Sequence, residues 1–308
     1  MTIRVAINGA GRIGRAFYKL AKEHPELEVV AINDLGDKDN IEYLLKHDTV
    51  YGKWEGSLEG VRFVQEKDPS KLPWKDLNID VVVESTGLFA DFEKAAVHIA
   101  AGAKKVVITA PAKGEGATVL MGVNEEKMAG CQVTSNASCT TNAASPLIAI
   151  LDEALGIEKA LLNTTHGYTA TQSLVDGPSK RGFREGRAAA QNIIPSTTGA
   201  AIAMTKAFTK LEGLFDGISV RVPVVAGSLV DVTFISKRET SAEEVNNILR
   251  NAATTPRWQK IFSVTEEEIV SSDILGSSYG SIADLNFTRV VGGNLVKVLA
   301  WYDNEMGY

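Results

Sequence analysis

Ile3-Arg4-Val5-Ala6-Ile7-Asn8-Gly9-Ala10-Gly11-Arg12-Ile13-Gly14 decides how the first half of the chain folds. Its opening residues alternate as a strand does, and G-x-G-x-x-G follows at once. Arg15 to Ala21 continues with apolar residues at helical spacing, counted from Ile13 through Phe17, Leu20 and Ala21. Leu27 to Ile32 is a second strand that ends at Asn33-Asp34, and Asp34 stands twenty residues beyond Gly14. Strand, glycines, helix, strand and terminal acid in this order make a dinucleotide-binding unit. Gly9 permits the tight turn, Gly11 lets backbone approach a pyrophosphate, and Gly14 lets helix and strand pack closely. Arg12 and Ile13 open the helix whose N-terminus faces the phosphates. The Asp34 carboxylate accepts from a ribose 2′-hydroxyl and repels a 2′-phosphate, so NAD is expected over NADP. A glycine turn in a nucleotide-free α/β unit is the plainer alternative.

Further along, Asp80 to Glu84 is a buried-type strand leading to Ser85-Thr86-Gly87, Phe92 to Ala101 reads as a helix, and Lys104 to Thr109 is another strand. Continuous apolar strands alternating with helices predict a doubly wound parallel sheet, an α/β Rossmann domain with its crevice at the carboxyl ends of the strands. Ser85, Thr86, Gly87 and Thr109 fall at such ends, where each could also be a turn residue. A weak hairpin signal sits at Glu59-Gly60.

The 308 residues suggest two domains, with 44% hydrophobic and 23% charged residues, as in an ordinary globular protein. A net charge of -6 gives no electrostatic reason to expect nucleic acid or an anionic membrane as partner. Two cysteines do not make a disulfide framework, so a reducing, cytoplasmic setting is expected. No apolar run reaches membrane-span length, no signal peptide is expected before the first strand, and no metal is expected.

Cys139 lies in Ser135-Asn136-Ala137-Ser138-Cys139-Thr140-Thr141-Asn142, between an apolar stretch and a helical pattern. A thiol among donors at a helix start can be held as thiolate. A half-buried thiol in a polar turn fits the local sequence equally well. The helix begins either at Cys139 with a bend at Pro146, or at Pro146 with Ser145 as cap. A strand from Ala160 to Thr165 delivers His166 beside the long irregular segment Gly167 to Arg187. His24, His47 and His98 fall on or beside first-half helices and read as surface residues, which leaves His166 as the best base; a structural role for it stays open. Thr198 to Leu211 and Ser241 to Ala253 read as helices. Strands at Gly217 to Pro223, Leu229 to Ser236, Leu285 to Val291 and Leu295 to Tyr302 predict an α+β domain with a mixed or antiparallel sheet.

Several stretches resemble the phosphorylating, NAD-dependent glyceraldehyde-3-phosphate dehydrogenases. They are Ile7 to Arg15, the Cys139 octet, Gly186-Arg187-Ala188-Ala189-Ala190-Gln191-Asn192-Ile193-Ile194-Pro195, Thr198-Gly199-Ala200-Ala201, Arg221-Val222-Pro223 and Trp301-Tyr302-Asp303-Asn304-Glu305-x-Gly307-Tyr308, in family order from end to end. The resemblance implies that Cys139 is the nucleophile, forming a thiohemiacetal and then a thioester, with His166 as its base. It implies that Asn304, with Tyr308 in the same segment, serves the nicotinamide. It places Thr169, Arg221 and Thr171 at the sugar-phosphate site, and Ser138, Thr140, Arg187, Thr198 and Gly199 at the inorganic-phosphate site. Ala143 stands where relatives usually carry a second cysteine. A homotetramer acting in glycolysis or gluconeogenesis is implied, with erythrose-4-phosphate dehydrogenase as the alternative activity. A semialdehyde dehydrogenase fits less well, and an idle scaffold or nucleic-acid-binding relative is opposed by the intact Cys139, His166 and Asp34.

The expected domains are an NAD-binding Rossmann domain over 1–138, rejoined by 303–308, and a catalytic domain over 139–302. By the same resemblance a terminal helix is expected beyond Tyr308.

Overall fold

A computed structural model describes residues 2–308. Two compact units emerge, one running to Val119 and resuming over Glu125–Ala137, the other formed by Leu120–Asn124 and Ser138–Tyr308.

The first unit contains β1 (Ile3–Asn8), α1 (Arg12–Ala21), β2 (Leu27–Asn33), α2 (Lys38–Lys46), β3 (His47–Asp48), β4 (Gly52–Lys53), β5 (Arg62–Val64), β6 (Val81–Glu84), α3 (Phe92–Ala95), α4 (Val97–Ala100), β7 (Lys105–Ile108), β8 (Ala117–Thr118) and β9 (Val133–Ser135). Seven of its strands form one sheet in the order β5-β2-β1-β6-β7-β9-β8, and every pairing is parallel. The order turns back between β1 and β6, which is where a doubly wound sheet opens a crevice. Val5, Ile7, Val82, Val106 and Ile108 are buried, as strands covered on both faces require. The expected helix at 92–101 is broken at Ala96 into α3 and α4. The hairpin lies at β3–β4, whereas Gly60, at φ 77°, turns the chain into β5, which pairs parallel to β2.

His98 corrects the reading of a surface histidine: it is 0% exposed. Trp74 Nε1, which can only donate, reaches His98 Nδ1 at 3.0 Å. The ring proton is therefore on Nε2 and donates to Glu84 Oε2 at 3.0 Å. That carboxylate oxygen also accepts from Asn8 Nδ2 at 2.6 Å, and the other accepts from Thr86 N at 2.9 Å. The expectation failed because helical spacing at 92–101 gives no sign that a polar side chain faces inward. His98→Leu leaves the buried Trp74 Nε1 unpaired and removes one of the donors to the buried Glu84 carboxylate, and is expected to lower stability by ~1–3 kcal/mol. Chemical denaturation measures this, and a loss below ~0.5 kcal/mol would show the network to be dispensable.

The second unit contains α5 (Cys139–Leu155), β10 (Ile157–Gly167), β11 (Ile194–Thr197), α6 (Ala200–Ala207), β12 (Phe215–Val222), β13 (Ser228–Ser236), α7 (Ala242–Ala253), β14 (Phe262–Thr265), β15 (Ser281–Val291) and β16 (Leu295–Tyr302). Its mixed sheet runs β11-β12-β10-β13-β16-β15-β14, with β10–β12 and β14–β15 parallel and the other pairings antiparallel. Leu147, Ile148 and Leu151 of α5 share one core with Leu162, Val230, Val232, Val296 and Val298 of the sheet. Helix α5 begins at Cys139 and keeps Pro146 inside it. Proline cannot donate to the Asn142 carbonyl, and the Ser145 hydroxyl takes its place at 3.5 Å.

Residues 303–308 group with the second unit. Asp303 is fully buried there, its carboxylate accepting from Gly276 N at 2.8 Å and Glu305 N at 2.9 Å.

Candidate active site

In the first unit a cleft of about 460 Å³ opens beyond β1, β2 and β6, lined by Asn8, Gly9, Gly11, Asn33, Asp34, Ser85, Thr86 and neighbours. The glycines have distinct physical causes. A Cβ on Gly9, at φ 100°, would lie 2.7 Å from Thr86 N, and one on Gly14 would lie 2.0 Å from Gly9 O. Gly11 differs, because a Cβ there meets nothing within 4 Å. Its missing side chain leaves room for a ligand, and the start of α1 is capped by no side chain. That is the cradle a pyrophosphate needs, so the residues fit NAD.

Asp34 does more than its position suggested. Its two carboxylate oxygens accept from Ala10 N and Gly36 N, each at 2.7 Å, so it braces the glycine loop. A carboxylate has four acceptor sites, and these bonds leave capacity for ribose hydroxyls. Ser85 Oγ donates to Gly9 O at 2.7 Å, and Thr109 Oγ1 donates to Glu84 O at 3.1 Å. Both hydroxyls tie strand ends together. Gly87 adopts φ 71°, the left-handed region that glycine enters freely. Arg12 pairs with Asp48 at 2.8 Å, while Ile13 and Gly14 sit in the first turn of α1.

The second unit assembles the chemistry. Ala137 is buried at φ 58°, a left-handed conformation strained for any residue but glycine, just before α5. Ser138 caps α5, its hydroxyl accepting from Thr141 N at 3.1 Å. Cys139 is thereby the first helical residue, and its Sγ lies 3.4 Å from His166 Nε2. In the parallel pairing of β10 with β12, His166 stands directly opposite Arg221. Residues in register on adjacent strands share a face, so Arg221 NH1 comes within 2.6 Å of His166 Nδ1. The Gly167 carbonyl lies 2.6 Å from the same nitrogen. A donor and an acceptor thus compete for Nδ1.

Burial pushes the Cys139 thiol up, while the Arg221 charge and donors on Thr140 pull it back only in part. Of the two readings open for Cys139, thiolate and half-buried thiol, desolvation favours the thiol. Burial first, and the Arg221 charge second, push His166 down to about 3. The resting pair is thiol and neutral imidazole.

Thr140 is buried, and its hydroxyl lies 2.8 Å from the Tyr302 hydroxyl, which lies 2.7 Å from Thr164 Oγ1. Tyr302 also meets His166 edge to face, with ring centroids 5.9 Å apart. Sequence reasoning passed over Tyr302 because a tyrosine ending an alternating strand looks like core. Asn304 accepts from Gly227 N and Ser228 Oγ, each at 3.0 Å, through its carbonyl oxygen. Its amide nitrogen is thereby left as a donor. Burial first, and the repulsion that a Cys139 thiolate would exert on a phenolate second, raise the Tyr308 hydroxyl well above the usual value.

The expected anion ligands fall into separate local groups. Thr169 Oγ1 and Thr171 Oγ1 are 2.9 Å apart. Thr198 Oγ1 accepts from Ala200 N at 3.1 Å beside Gly199, which precedes α6. Arg187 pairs with Asp176 at 2.9 Å on the surface. Two further residues escaped sequence reasoning: the buried Gln172 and Glu185, within the segment that had looked irregular.

Residues 3–92 match the family model of the glyceraldehyde 3-phosphate dehydrogenase NAD binding domain, and residues 138–304 that of the C-terminal domain. The chain is 48% identical over 319 aligned positions to a glyceraldehyde-3-phosphate dehydrogenase of Thermotoga maritima, spanning 99% of this chain and 95% of the relative. It is 45% identical over 322 positions to one from Streptomyces coelicolor, spanning 100% and 96%. For one from Clostridium pasteurianum the identity is 45% over 321 positions, spanning 99% and 95%. With both domain models matched and such likeness along its whole length, the chain belongs to the glyceraldehyde 3-phosphate dehydrogenase family.

Proposed function

We propose that the protein is an NAD-dependent phosphorylating aldehyde dehydrogenase. It converts glyceraldehyde 3-phosphate, NAD and inorganic phosphate to 1,3-bisphosphoglycerate and NADH, in glycolysis or gluconeogenesis. The observation that carries this reading is the Cys139 thiol at the start of α5, 3.4 Å from His166 Nε2, in a chain of this family. The names of the relatives favour the three-carbon aldehyde over erythrose 4-phosphate.

In the proposed mechanism, Arg221, Thr169 and Thr171 hold the sugar phosphate. Cys139 Sγ bonds to the aldehyde carbon, and His166 relays the thiol proton towards the carbonyl oxygen, giving a thiohemiacetal. His166 Nε2 then takes the hydroxyl proton as the adduct is oxidised to a thioester. NAD, when bound, supplies the acceptor for the hydride. Asp34 would hold its ribose, and the Asn304 amide would serve its carboxamide. Inorganic phosphate, held at Thr198, Gly199 and Arg187, attacks the acyl carbon, and the Cys139 thiolate leaves. Ser138 and Thr140 serve this site by placing the helix start, because their hydroxyls are already bonded within the protein.

The assembly we assign is a homotetramer. Phe183 is 97% and Leu174 83% exposed on the long segment, apolar side chains that a contact between subunits would cover. We place the enzyme in the cytoplasm, where its two free cysteines stay reduced. Among the described residues no helix is long and apolar enough to cross a membrane.

Initial rates of NADH formation with each aldehyde phosphate, with and without inorganic phosphate, test this reading. A rate that needs phosphate and favours glyceraldehyde 3-phosphate supports it, and phosphate-independent turnover overturns it. The same assay tests the cofactor. Asp34→Ala is expected to lower the NAD-to-NADP ratio of kcat/KM by roughly 10- to 100-fold, the effect of ~1–3 kcal/mol. Equal use of both cofactors by the unaltered enzyme would remove Asp34 from that role.

A further inference from the structure

The long segment after β10 conceals a buried carboxylate to which the mechanism gives no task. Glu185 is 8% exposed. One of its oxygens accepts from Ser196 Oγ at 2.6 Å, and the other accepts from Gln172 Nε2. Gln172, 7% exposed, is held at its opposite end by Thr169 N, which donates to Oε1 at 2.8 Å. A backbone N–H can only donate, so the orientation of this amide is fixed by its partners at both ends. The second amide proton goes to Thr171 Oγ1 at 2.9 Å.

Because Thr171 Oγ1 accepts from Gln172, its own proton is free to point elsewhere. The Thr169 hydroxyl accepts from Thr171 N at 3.4 Å and donates to Gln172 Oε1 at 3.3 Å, so that carbonyl oxygen accepts from both the Thr169 N–H and the Thr169 hydroxyl. The Thr171 hydroxyl, which accepts from Gln172, is thereby held as a donor, towards Thr169 Oγ1 at 2.9 Å or towards a phosphate oxygen that takes its place. The same carboxylate ties the segment to Ser196 on β11. That strand pairs with β12, where Ile194 stands opposite Arg221.

We propose that Glu185 and Gln172 are positioning residues of the sugar-phosphate site. Glu185 orients the Gln172 amide, Gln172 holds the Thr169 hydroxyl in place and sets the Thr171 hydroxyl as a donor, and Ser196 fastens the group to the strand beside Arg221. This rests on the reading of Thr169, Thr171 and Arg221 given under Proposed function.

The test compares glyceraldehyde 3-phosphate with unphosphorylated glyceraldehyde as substrates of the full-length enzyme. Gln172→Leu and Glu185→Leu are expected to raise KM for the phosphorylated aldehyde by roughly 10- to 100-fold, as loss of a buried polar partner does. kcat, KM for inorganic phosphate and kcat/KM for unphosphorylated glyceraldehyde should stay within about threefold, and Glu185→Gln should restore most of the loss because its amide can still accept from Gln172. The double variant should be no worse than the poorer single one, since both act through one amide. If the leucine variants fail to fold, Ser196→Ala removes one bond without opening the core, and its KM should rise about threefold with the same selectivity. Equal losses on both aldehydes would reduce the pair to a structural role and overturn the proposal, as would an unchanged KM. A wild-type enzyme indifferent to the substrate phosphate would overturn the functional reading beneath it instead.

Discussion

Replacing Cys139 with serine is expected to lower turnover by roughly 10⁴- to 10⁶-fold, as deletion of a covalent nucleophile does elsewhere. A serine hydroxyl keeps the helix start and the hydrogen bond to His166. It is far less acidic than a thiol, however, and His166 is itself a weak base when Arg221 and burial hold it at about 3. An alkoxide has no route to form there at neutral pH. The thioester is also lost, and an oxygen ester passes its acyl group to phosphate less readily. Single-turnover NADH formation separates the two effects, since it reports the oxidation before acyl transfer. NAD and sugar-phosphate binding should be unchanged, because Sγ holds neither ligand. A Cys139→Ser enzyme within tenfold of the wild type would assign the nucleophile elsewhere. Cys131 is no substitute: its Sγ donates to Lys127 O at 3.2 Å just before β9 in the first unit.

What could be read from the sequence follows the range of the interactions. The glycine loop and Asp34 were legible because turn, pyrophosphate approach and acid lie within one β-α-β stretch. The parallel sheet was legible in the apolar runs at Val81–Val83 and Val106–Ile108. His166 could be named but not connected, since its contact with Arg221 arises from the β10–β12 register and spans 55 residues. His98 was misread because Trp74 and Glu84, which bury it, lie on other elements. Glu185 stood among surface-type residues, Arg181, Arg184 and Arg187, and nothing local distinguishes the acid that turns inward. The helix start allows a thiolate or a half-buried thiol at Cys139, and the burial that decides for the thiol comes from the fold around it.

His166→Asn is expected to slow oxidation of the thiohemiacetal by roughly 10²- to 10⁴-fold, the range for loss of a general base. The resting geometry adds a condition. When Nδ1 donates to Gly167 O, the Nε2 lone pair faces Cys139 and can accept its proton. When Arg221 NH1 donates to Nδ1, the proton sits on Nε2 and the ring cannot act as base. A substrate phosphate that draws Arg221 to itself leaves Gly167 O as the partner of Nδ1 and selects the basic tautomer. It also offsets the charge that opposes an imidazolium, so the base strengthens when phosphorylated substrate is bound. The pH dependence follows with a definite sign. His166 titrates at about 3 when folded, against 6.5 for an ordinary histidine. The unfolded chain therefore binds the proton more readily, and the contribution to stability is full above 6.5 and is lost as pH falls from 6.5 towards about 3. Melting temperatures at pH 7 and pH 5 should diverge less in His166→Asn than in the wild type. Arg221→Leu, which lets the histidine titrate higher, should fall between them. Histidine ring NMR gives the direct measurement: the His166 titration should move up in Arg221→Leu, and should move up in the wild type when a sugar-phosphate analogue binds. A titration that stays in place in both cases would mean that burial alone holds His166 down, and that the guanidinium beside Nδ1 anchors substrate without tuning the base.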